Sequence, residues 1–109
     1  MPRPTHQACL EACNACAAAC NHCAASCLEE PDVKAMAACI ALDVDCAALC
    51  RTVAGFVARD SRFAGPLCAL CAEVCDACAQ ECGRHPTDHC RHCAEACRRC
   101  AEACRSMAG

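Results

Sequence analysis

The chain has 109 residues, a net charge of −3 and 57% hydrophobic residues, of which 19 are Cys and only 2 are aromatic. With neither a basic stripe nor stacking aromatics it has no nucleic-acid footprint, and with no run of about 20 apolar residues it has no membrane span. Leu, Ile, Val and Phe together number 14, so Cys and the 26 Ala must supply the core, a protonated thiol packing as a small hydrophobe.

The first predicted helix covers 6–28 and carries Cys9, Cys13, Cys16, Cys20, Cys23 and Cys27. Steps of three and four alternate, which is the a/d pattern of one helix face, so all six thiols project to one side. Thr5 is the expected N-cap, and Pro31 lies in the connection that follows. A second helix over 33–59, capped by Asp32, carries Cys39, Cys46 and Cys50 in the same phase. Asp43 occupies the slot between Cys39 and Cys46 where the pattern expects a thiol, and a buried acid needs a partner. Four roles are open to it: hydrogen bonding a thiol, binding metal weakly, taking a proton during loading, or tilting out to solvent.

The third helix, 66–83, starts on Pro66, ends on Gly83 and carries Cys68, Cys71, Cys75, Cys78 and Cys82. The stretch from Asp60 to Gly65 before it has room for a helical turn. The fourth helix, 88–107, follows Pro86 with Thr87 as N-cap and carries Cys90, Cys93, Cys97, Cys100 and Cys104. At 1.5 Å per residue the four span about 27–40 Å. Short connections favour antiparallel neighbours, so the expected fold is all-α, an up-down-up-down antiparallel four-helix bundle with a Cys-lined core, and 1–109 is one domain.

An odd number of cysteines argues against a secreted disulfide scaffold. Met1 is followed by Pro-Arg-Pro-Thr-His-Gln rather than by a basic segment leading into an apolar run, so a cytoplasmic location with reduced thiols is expected. Thiols at i,i+4 sit too far apart for easy disulfides, yet two metal–sulfur bonds of about 2.3 Å reach across roughly 4.6 Å. Soft thiolates select Cu(I), Zn(II) or iron–sulfur clusters. Zn(II) at four thiolates per ion places about five ions among 19 thiolates and leaves a buried charge near −9, whereas one Cu(I) per thiolate leaves none. The expected load is therefore on the order of 15–20 Cu(I) ions. A zinc or cadmium thiolate buffer is the alternative, and a thiol-redox or iron–sulfur protein a weaker one, since neither a ferredoxin run nor a βαβ pattern accompanies the cysteines. No acid–base pair, oxyanion site or substrate pocket suggests an enzyme.

Four Cys-striped helices with eight C-x-x-x-C pairs resemble the bacterial cytosolic copper storage proteins over essentially the whole chain. The resemblance implies a four-helix bundle, usually a homotetramer, that holds Cu(I) chiefly through Cys and serves storage or detoxification. The three-Cys second helix is the departure from that pattern. Its Leu42, Leu49 and Phe56 on one flank and Ile40, Val44 and Ala47 on the other are apolar beyond the Cys face. Either a contact between copies or neighbouring helices of the same chain would cover them.

Extending each stripe locates the ends of the bundle. His6, Val53, Val57, Leu67 and Met107, with Phe56 and Phe63 nearby, form an expected apolar plug. Glu30, Met36, His85 and His89 gather at the other end, with His92 one turn further. Thioether and imidazole are weaker ligands for Cu(I) than thiolate, so Met36, His85 and His89 mark the expected entry. His22 and His92, off the stripe, read as solvated surface. A copper chaperone or a small thiol is the expected donor.

Overall fold

The computed structural model describes residues 4–108; helix α1 runs Pro4–Cys27, α2 Ala37–Ala58, α3 Ala64–Cys82 and α4 Asp88–Ala108. Among the described residues there is no strand. The helices form the expected bundle in cyclic order, α1 packing on α2 and α4, and α3 on α2 and α4. The molecule is 46 Å long and 17–19 Å across, two helices wide in each direction around one axis. No helix of the described residues is long and apolar enough to cross a membrane.

Local chemistry explains three departures from the expected boundaries. Thr5 does not cap α1 but lies inside it, because the helix already begins at Pro4, a residue suited to a first turn. Asp32 does cap, through Oδ1 accepting the Ala35 N–H at 3.3 Å, but it opens a 3-10 turn, Val33–Met36, that tightens before α2 starts. Asp60, with φ of 52°, ends the second helical region in the left-handed conformation that Asp tolerates better than most residues. Thr87 stands at the N-cap of α4, its carbonyl taking the Arg91 N–H, while its buried hydroxyl caps no amide.

Gly83 closes α3 as expected, though with right-handed φ. Its value is clearance rather than dihedral freedom: a Cβ there would meet the Ala79 carbonyl oxygen at 2.9 Å. Ala17 and Ala94 are fully buried, and Ala47, Ala72 and Ala101 nearly so, which lets the helices close around a core of sulfur. Apart from Asp43, the charged side chains of the described residues lie toward the surface, and the Arg105–Asp76 ion pair ties α4 to α3 there. Leu42 and Leu49 of the α2 flanks lie half-buried against the core of their own chain, whereas Val44 is 52% exposed.

Candidate metal centre

All nineteen cysteines are free thiols and all are buried. The heptad spacing becomes a distance: in the eight C-x-x-x-C pairs the Sγ atoms are 3.8–4.0 Å apart. That is far beyond a disulfide bond of about 2.05 Å, and inside the roughly 4.6 Å that one bridging metal spans.

Thiols from different helices interleave at the same spacing. Near the start of α1, Cys9 meets Cys68 and Cys104 at 4.0 Å, and Cys13 meets Cys104 at 3.9 Å and Cys100 at 3.7 Å. In the middle, Cys50 reaches Cys71, Cys75 and Cys100 at 3.7–3.8 Å, while Cys16 reaches Cys46 at 3.8 Å and Cys97 at 3.6 Å. Cys20 then contacts Cys93, Cys97 and Cys78 at 3.6–4.0 Å. Groups such as Cys13, Cys71, Cys100 and Cys104, or Cys20, Cys78, Cys93 and Cys97, each have all four sulfurs within 4.8 Å of one another. Successive groups share members, as Cys16 and Cys46 each belong to two, so the sulfurs form a continuous column.

Asp43 interrupts that column from within. It is fully buried, so the tilt toward solvent is ruled out by its packing against α3 and α4. Its Oδ1 accepts from Cys93, Cys78 and Cys82 at 3.2, 3.3 and 3.4 Å, and Oδ2 from Cys39 at 3.7 Å. Burial, reinforced by the neighbouring Cys93 and Cys39, pushes the carboxyl from 3.8 up to about 8. Around it, Cys39 and Cys82 make the closest sulfur contact, 3.1 Å.

The thiols do not titrate alike. Burial is the main reason that Cys27, Cys68 and Cys90 are pushed up, so each stays a neutral thiol in the metal-free protein. Cys46 is held down because Cys16, Cys20, Cys50 and Cys75 hydrogen-bond its sulfur. A thiolate stabilised by S–H donors is the form a soft cation binds.

The two ends differ in chemistry. At one, Val53 and Val57 are buried, Leu67 and Met107 pack on the core, and His6 is buried with Nε2 3.9 Å from Asp60 Oδ1. Phe56 lies beneath Arg59, and Phe63 is half-exposed beneath Arg62. At the other end Met36 is buried, and His89 turns Nδ1 toward Cys90, Cys23 and Cys27 at 3.5, 3.6 and 3.9 Å. His85 instead presents Nε2 to Glu81 at 2.9 Å, one turn back along α3, and His22 and His92 are exposed. The i,i+4 spacing of Glu81 and His85 is the sequence signal for this pair, one step beside the Cys stripe.

The family model for "Csp: Copper storage protein" matches residues 3–109. The Cu(I)-bound copper storage protein BsCsp3 of Bacillus subtilis superposes with a TM-score of 0.92 at 50% identity, covering 96% of this chain and 99% of that one. A cytosolic copper storage protein from Streptomyces lividans, solved with five coppers, gives a TM-score of 0.92 at 41% identity over 95% of this chain and 92% of that one. An uncharacterized cysteine-rich protein of Bacillus subtilis, YhjQ, is 51% identical over 68 residues; the match spans 62% of this chain and 63% of that protein's length.

Proposed function

The chain belongs to the copper storage protein family, and on that premise we propose that it stores many Cu(I) ions on the thiolates of its own core. The observation that carries this reading is the column of nineteen buried, unbridged thiols at metal-bridging spacing. Cu(I) accepts two or three ligands and its thiolates bridge, so neighbouring sites share sulfur and the load approaches one ion per Cys, on the order of 15–20 per chain. Each ion that enters replaces thiol protons, so affinity rises with pH and loading stabilises the bundle. Burial keeps the copper from redox cycling and the sulfur from oxidation.

All nineteen cysteines act as ligands in this reading. Asp43 lies within reach of any ion held by Cys78, Cys82 or Cys93, Met36 and His89 receive Cu(I) at the polar end, and His85 is an outer, weaker stop. The chain works as one domain in the cytoplasm, loaded by a copper chaperone or a small thiol, and it binds ions rather than turning over a substrate. Exposed Val44 beside Ile40 on α2 suits a contact between copies, consistent with a homotetramer. An anaerobic Cu(I) titration against a chromophoric chelator, paired with a thiol count, tests the reading. Capacity of 15 or more ions per chain is expected; saturation at one or two rejects storage.

A further inference from the structure

At the polar end, the His89 ring faces sulfur on one side and a carboxylate on the other. Cys23, Cys27 and Cys90 lie within 3.8–3.9 Å of one another, and Nδ1 of His89 faces all three at 3.5–3.9 Å. The opposite ring nitrogen, Nε2, faces Glu30 Oε1 at 3.6 Å, with 16% of the His89 side chain and 28% of the Glu30 side chain exposed. Glu30 is itself well held. Its N–H donates to the carbonyl of Cys27 at 3.2 Å, closing the turn after α1, and Pro31 restricts its backbone from the other side. The same turn thus anchors Cys27 and the carboxylate that faces His89.

We propose that Glu30 is a positioning residue, holding the His89 ring so that Nδ1 turns inward and, with Cys23, Cys27 and Cys90, takes the first Cu(I) into the column. The proposal rests on the storage reading above and deepens it. A metal–nitrogen bond of about 2.0 Å and a metal–sulfur bond of about 2.3 Å reach across roughly 4.3 Å, so one ion bridges Nδ1 to any of the three sulfurs without moving the helices. A ligating histidine commonly donates its other N–H to a carboxylate, which fixes the tautomer and strengthens the nitrogen as a donor. Glu30 stands where that partner must be. When Nδ1 takes the ion, the Nε2–H becomes a better donor and the 3.6 Å gap closes to a hydrogen bond. Each thiol that ligates the ion gives its proton to solvent, and the charge of Cu(I) is carried unchanged from donor to site.

His85 offers a contrast within the same end. Its Nε2 is engaged by Glu81 at the end of α3, and Arg84 donates to the other oxygen of that carboxylate at 3.3 Å. That pair is built within one helix and one connection, whereas the Glu30–His89 pair joins the turn after α1 to the first turn of α4 across the mouth of the column.

The test is stopped-flow transfer of Cu(I) from a chromophoric chelator complex to wild-type, Glu30→Ala, Glu30→Asp, His89→Ala and the Glu30→Ala/His89→Ala double variant. Total Cu(I) capacity and thermal melting are followed in parallel. Glu30→Ala is expected to slow the first transfers roughly tenfold. Glu30→Asp recovers part of that loss, and the double variant is no slower than His89→Ala alone, because Glu30 acts through His89. Imidazole 15N shifts should show His89 protonated at Nε2 in wild-type and as a mixture of tautomers in Glu30→Ala. Unchanged transfer in Glu30→Ala, or losses that multiply in the double variant, overturns the proposal. A wild-type capacity of one or two ions instead sinks the storage reading, so the two failures are told apart.

Discussion

A single carboxylate among nineteen thiols shows how far one position departs from its neighbours. Asp43 is folded into sulfur with its carboxyl raised from 3.8 to about 8, chiefly by desolvation. A raised acid pKa means that the folded chain binds the proton more tightly than the unfolded chain does. The metal-free protein therefore has its full share of stability from this group below about pH 4 and loses it as pH rises toward 8. Asp43→Asn should remove most of that loss, leaving the metal-free variant more stable than wild-type at pH 8 by on the order of 3 kcal/mol, and close to it at pH 4. Denaturant unfolding under reducing conditions at both pH values measures this; a wild-type slope retained in the variant would assign it elsewhere. That Asp43 occupies a cysteine slot was visible in the spacing alone. Its burial was not, since a half-turn of side-chain tilt separates core from solvent and only packing against α3 and α4 decides it.

At the scale of an element, helix phase was the most legible property and helix ends the least. The steps of three and four fixed which face every cysteine takes, because 3.6 residues per turn leaves no other face for them. The ends depend on single backbone hydrogen bonds, so Thr5 falls inside α1 and residues 33–36 wind as a 3-10 turn before α2 begins. The sulfur column also needs small residues behind it, and Ala94, fully buried, is one of them. Ala94→Leu adds volume where none is free and should cost about 1–3 kcal/mol, read as a lower melting temperature of the metal-free protein. Gly83→Ala places a Cβ against the Ala79 carbonyl at 2.9 Å and should cost about 1 kcal/mol. An unchanged melting temperature in either variant would mean that the helices shift to make room.

Across the whole molecule, the decisive quantity is charge. Nineteen thiolates enclosed in a bundle only 17–19 Å across would repel one another and face a low dielectric, and among the described residues no Lys or Arg is buried to offset them. A monovalent soft cation per sulfur removes that charge as it arrives, ion by ion, without rebuilding the fold. The composition held this much: with so few large apolar side chains, the core had to be sulfur, and sulfur in that number had to be neutral or neutralised. The contacts between α1 and α3 and between α2 and α4 across the axis, such as Cys9 with Cys68 and Cys50 with Cys100, were beyond a one-dimensional pattern. They make four stripes into one column. The most direct measurement is an anaerobic Cu(I) titration in weak buffer that counts copper bound and protons released together. About one proton per copper, continuing until nearly every thiol is used, is the predicted result. Two protons per copper, with saturation near half the thiols, would show isolated bis-thiolate sites and contradict the column.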